Sequence, residues 1–104
     1  MITQTAKYRI TAASKNSVEQ AMRTFAARLK REFPNHFWWT ARNAKDPLSY
    51  ISIIASPDAA TDEAASKSQA TAEFVEALYP NVEGEVKWTE LELVASTDGL
   101  SSQN

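Results

Sequence analysis

The chain has 104 residues, with 11 lysines and arginines against 13 aspartates and glutamates, a net charge of −2. That length suits one domain that folds without disulfides or a structural metal, and the balanced charge lacks the basic stripe that nucleic acid or an anionic membrane surface requires. The absence of cysteine removes thiol chemistry and cysteine zinc sites, the single histidine removes any site needing two imidazoles in one chain, and the two glycines leave no Gly-rich phosphate loop.

Tyr8, Ile10 and Ala12 alternate with Lys7, Arg9 and Thr11, which predicts a strand over Lys7 to Ala12. Asn16 followed by Glu19 has the spacing of a capping box, with Ser17 and Gln20 as the next register. Val18, Met22, Phe25, Ala26, Leu29 and Phe33 then form the apolar stripe of an amphipathic helix that Pro34 stops near Glu32. His36 to Arg42 and Leu48 to Ala55 read as strands of a hairpin, with Asn43 to Pro47 supplying the turn. Ser56 as N-cap and Pro57 at the first helical position open an Ala-rich stretch, short or irregular, over Asp58 to Ser68. A stronger helix follows over Thr71 to Tyr79. Val82 to Val94 is the last strand, and the change of facing along it calls for a bulge or a change of partner.

The order β-α-β-β-α-β predicts an α+β, ferredoxin-like antiparallel sheet with helices on one face. One domain over residues 1–95 and a flexible tail over 96–104 (STDGLSSQN) are expected. The other sheet face is left bare, and a second copy of the chain is its simplest cover, so a homodimer is expected. No apolar run reaches the length of a membrane span and no signal-peptide pattern opens the chain, which points to a cytoplasmic protein that meets neither membrane nor nucleic acid.

Pairing the hairpin about its turn sets Thr40 near Tyr50 and Trp38 near Ser52. One face then carries His36, Trp38, Thr40, Tyr50, Ser52 and Ile54, and the other the uniformly apolar Phe37, Trp39, Ala41, Ile51 and Ile53. Aromatic walls with a few hydroxyls and an imidazole suit a pocket for a small aromatic molecule, and Arg9 and Thr11 are placed beside them. His36 is the candidate catalytic base, with an ordinary pKa of about 6.5; the competing reading is a strand-edge histidine. Trp38 is a candidate stacking platform. Arg9 and Arg42 are candidates for orienting a carboxylate or phenolate, and Thr11, Thr40, Tyr50 and Ser52 for hydrogen-bonding a ligand. Asp46 and Asp58 have no ligand spacing with His36, and no metal site is expected.

The strand KYRITA before SVEQAMRTFAARL, the hairpin FWWTARNAKDPLSYISIIA, and SPDAATDEAASKSQATAEFVEAL ending in a Phe-containing helix resemble the antibiotic biosynthesis monooxygenase family of dimeric α/β barrels, over roughly Lys7 to Ser96. The resemblance implies a homodimer with packed sheets, one pocket per subunit between sheet and helices, and a monooxygenase that uses no cofactor and draws its electrons from a phenolic or quinol-like substrate. Many members carry an acidic residue and a Trp near the end of the third strand and a His in the helix that follows; this chain has Ser52 and Ile54, then Asp62 and Glu63. Two other readings compete with the enzyme: a non-catalytic small-molecule-binding or structural dimer on the same scaffold, and an RNA-recognition module, which the lack of a Lys/Arg-Gly-aromatic pattern in LSYISIIA disfavours.

Overall fold

The structure, a computed structural model, describes residues 1–97. Four strands, β1 (Ile2–Ile10), β2 (Phe37–Arg42), β3 (Ser49–Ser56) and β4 (Val82–Leu91), and three α-helices, α1 (Lys15–Glu32), α2 (Ala59–Ser66) and α3 (Gln69–Leu78), alternate as the α+β reading requires, with the second helical region in two pieces. The sheet is antiparallel in the order β2-β3-β1-β4. Residues 98–104, most of the expected tail, lie outside the described residues. Among the described residues no helix is long and apolar enough to cross a membrane.

The central strand starts five residues before the apolar alternation does, at Ile2 rather than Lys7. Its extra length rests on Thr3 and Thr5, which are β-branched but polar, so hydropathy hides them. It ends at Ile10: the Ile10 amide donates to the Leu48 carbonyl, the Thr11 amide to the Asn81 carbonyl, and Ala12 enters a 3₁₀ turn over Ala12–Ser14. That turn runs straight into α1. Ser14 is the N-cap, with no side-chain cap bond, so the Asn16–Glu19 capping box does not form. Glu19 turns toward the sheet instead. Further along, Asp58 rather than Ser56 caps α2, accepting from the Thr61 amide at 2.7 Å, because Ser56 is held as the last residue of β3.

The hairpin register is two residues from the expected one: Arg42 faces Tyr50, Thr40 faces Ser52 and Trp38 faces Ile54. The turn is longer than Asn43–Pro47, because the Asn43 side chain accepts from the amides of Lys45 and Asp46 and the Ser49 amide returns to the Asp46 carbonyl. An even slip leaves every residue on its predicted face. β4 carries the irregularity its pattern called for: Lys7 pairs with Lys87 but Arg9 with Glu83, and Gly84 turns the surplus chain at φ 81°. It ends at Leu91, short of Val94, because Leu91 pairs with Thr3 near the start of its only neighbour.

The helices cover the face bearing Ala6, Tyr8 and Ile10. Those three pack with Val18 and Met22 of α1, Tyr50 of β3 and Leu78 of α3. A second cluster joins Phe25 and Leu29 of α1 to Ala70 of α3. The opposite face carries Phe37 and Trp39, 45% and 39% exposed, with Ile51, Ile53 and Leu91.

Candidate functional site

A cavity of about 280 Å³ opens between sheet and helices toward the end where β1 begins and β3 ends. Its floor is Gln4, Ala6 and Tyr8 of β1, Ser52 and Ile54 of β3, and Trp38 of β2; Phe25, Ala65, Phe74 and Leu78 roof it, and Val86 and Trp88 close the β4 side. The space follows from side-chain size, since Ala6, Ser52 and Ala65 stand where larger residues would meet. Phe25 and Phe74 stack with centroids 4.5 Å apart, and Trp38 sets its edge against both at 5.0 and 5.7 Å. Such interlocked rings form a rigid apolar wall suited to a flat guest.

His36 sits on this wall, just ahead of β2. Its Nδ1 is hydrogen-bonded to Ser56 Oγ, and Ser56 Oγ donates to Asp62 Oδ1 at 3.3 Å. Burial pushes the imidazole below its ordinary pKa, against the opposing pull of Asp62. The ring is therefore neutral at pH 7 and able to take a proton. Nearby, Ser52 Oγ donates to Thr40 Oγ1 at 3.1 Å, and Thr40 Oγ1 donates to the Ile51 carbonyl at 3.2 Å. The Tyr8 hydroxyl is buried beside Ser52 and Thr40, and burial pushes its pKa up against the pull of those two hydroxyls, so it stays a neutral phenol.

Of the residues singled out in the sequence, the cavity brings together His36, Trp38 and Ser52. Thr40 lies just behind Ser52. The rest are engaged elsewhere. Arg9 alternates with Tyr8 and so points to the opposite face, paired with Asp46 at 3.2 Å and Glu83 at 2.8 Å. Thr11 has left the strand and donates to Ser14 Oγ. Arg42 and Tyr50 converge on Glu19, at the far end of the helix-covered face.

That far end is a clasp. Tyr50 donates to Glu19 Oε2 at 2.6 Å, Arg42 Nη1 reaches both oxygens at 2.8–2.9 Å, and Lys15 and Arg23 add ion pairs at 3.2 and 3.5 Å. The Glu19 side chain is only 11% exposed. The hydrogen bond from Tyr50, then those from Arg42 and Lys15, hold its carboxyl down at about 2. Burial and the Glu19 charge together push the Tyr50 phenol up, so it is held neutral rather than poised as an acid.

Sequence reasoning missed Asp62 and Ser56 at the site, and Phe25, Phe74 and Trp88 on its walls. A signal for the last existed: the alternation of Val86 and Trp88 matches that of Ala6 and Tyr8. Asp62 follows the α2 cap by one helical turn, its amide bonded to the Asp58 carbonyl at 3.1 Å, a spacing that turns its carboxylate back to the strand end.

No family model and no curated protein matches the sequence. Among solved structures, one named antibiotic biosynthesis monooxygenase superposes with a TM-score of 0.80 at 17% identity, over 91% of this chain and 100% of that one. A protein from Nitrosomonas europaea, given the same name provisionally, superposes at 0.82 with 12% identity, over 91% and 100%. A third, from Bacteroides thetaiotaomicron and also provisionally named, superposes at 0.84 with 8% identity, over 92% and 91%. The chain has the fold of these proteins over nearly its whole length.

Proposed function

We propose that the chain is a cytoplasmic, homodimeric oxygenase that oxidises a small phenolic or quinol-like aromatic without a bound cofactor. The observation that carries this reading is a cavity walled by Phe25, Trp38 and Phe74 with one neutral, anchored imidazole on its surface. His36 takes the substrate's hydroxyl proton. The resulting anion returns electron density to its ring, and dioxygen accepts two electrons in single steps as a carbon–oxygen bond forms para to the hydroxyl. The hydroperoxide so formed loses water to leave a quinone. For 1-naphthol the balance is one dioxygen consumed and one 1,4-naphthoquinone and one water produced. The protein supplies orientation and a dry environment that favours the proton transfer. The open face with Phe37 and Trp39 supports the homodimer.

The test is oxygen uptake by the purified protein with 1-naphthol and related hydroxyarenes, alongside His36→Ala. Turnover with equimolar oxygen and quinone is expected, with a loss of about 10²- to 10⁴-fold in the variant. Tight binding of such molecules with no oxygen uptake anywhere in the series would instead favour a non-catalytic binding protein.

A further inference from the structure

The cavity wall carries one carboxylate, Asp62, and no lysine or arginine. Asp62 reaches His36 through Ser56, which has no exposed surface and so no solvent to turn to. A hydroxyl has one proton to give and lone pairs to receive, whereas a carboxylate only accepts. Ser56 gives its proton to Asp62, so its oxygen receives the hydrogen bond from the ring, and Nδ1 must carry the proton of the neutral imidazole. The lone pair is then on Nε2. With the proton on Nε2 instead, Ser56 would have to donate to Nδ1, and its oxygen and the carboxylate would confront each other as two acceptors 3.3 Å apart, the serine with no water to relieve it.

We propose that Asp62, acting through Ser56, fixes His36 as the Nδ1-protonated tautomer, and that the cavity thereby selects an uncharged fused-ring molecule bearing a hydroxyl over its carboxylate counterpart. The hydroxyl donates to Nε2. A carboxylate would set acceptor oxygens against the same lone pair and bring a second negative charge to a wall that offers it no cation. The choice of substrate rests on the reading of the cavity given above, whereas the tautomer follows from the geometry alone. Asp62 and Ser56 are positioning residues in this arrangement.

His36 is the only histidine, so the imidazole nitrogens of the uniformly ¹⁵N-labelled full chain report one ring. At pH 7.5 the long-range ¹H–¹⁵N spectrum is expected to show a protonated Nδ1 and an unprotonated Nε2. Ser56→Ala and Asp62→Asn should both move the ring toward the opposite tautomer. A wild-type ring protonated on Nε2, or variants that fold and leave the tautomer unchanged, would overturn the proposal. Binding is then measured with 2-naphthol, 2-methylnaphthalene and 2-naphthoate, by calorimetry and by the shift of the Nε2 resonance. The expected result is about tenfold tighter binding of 2-naphthol than of either other probe, the value of one hydrogen bond in a dry site. In Ser56→Ala that advantage should shrink, with the methylnaphthalene affinity unchanged. Equal or tighter binding of 2-naphthoate overturns the selectivity. None of these readouts involves turnover, so an inactive protein that passes them refutes the oxygenase and leaves this inference standing.

Discussion

The two ends of one sheet–helix interface are built on opposite terms. At the end where β1 runs into α1, Ile10, Val18, Met22 and Tyr50 fill the space, and Glu19 gathers Tyr50, Arg42, Lys15 and Arg23 around one carboxylate. At the other end Ala6, Ser52 and Ala65 leave a void, and one hydrogen-bonded chain, Asp62 to Ser56 to His36, replaces the clasp. Polar groups at the first end are drawn together around one carboxylate; at the second, a single imidazole faces the void. The same fold face thus separates the work of holding the chain together from the work of receiving a guest.

The comparison breaks first at the aromatic wall that joins the two ends. Phe25→Ala should lower stability by about 3–5 kcal/mol in urea melts, because it removes a ring stacked on Phe74 and leaves a hole continuous with the cavity. A loss of under 1 kcal/mol would mean the wall is not packed as described. His36→Ala separates the ends most sharply: activity should fall as stated above, while stability falls by only about 1 kcal/mol, the cost of leaving the buried Ser56 hydroxyl without its ring partner. Glu19→Gln is its mirror image. It should cost about 2 kcal/mol, since Tyr50 and Arg42 lose a charged partner, and leave 2-naphthol affinity unchanged.

The clasp also has a pH signature. The Glu19 carboxyl titrates at about 2 when folded against 4.5 ordinarily, so folding favours its ionised form. The contribution, about 3 kcal/mol, is nearly whole above pH 4.5 and disappears as pH falls toward 2. Urea midpoints measured between pH 5 and 2.5 should show this slope in the wild type and a flatter one in Glu19→Gln. The smallest effect on the fold belongs to the outer face. Trp39→Lys should change the stability of one subunit by about 0.5 kcal/mol or less, yet light scattering is expected to report a dimer for the wild type and a monomer for this variant.

The order of elements and the division of the hairpin into two faces were legible because they depend on periodicity, which a two-residue slip does not disturb. What lay along a face was not legible. His36, Trp38 and Ser52 line the cavity while Thr40, Arg42 and Tyr50, on the same face, do not, because the small residues Ala6, Ser52 and Ala65 leave space at one end only. Glu19 has the spacing of a capping box to Asn16, and nothing local distinguishes that role from a tertiary one. Asp62 carries no local mark of its role; its link to His36 passes through a serine whose own position depends on β3 continuing one residue further than its apolar run.

The surplus chain at Gly84 bends the rim strand β4 and sets Glu83, Glu85 and Lys87 along it. A kinked, charged border makes a poor template for a neighbour's backbone, so copies of the molecule cannot add border to border into an endless ribbon. Growth by strand addition stops there, which leaves the broad apolar side as the surface for the proposed homodimer.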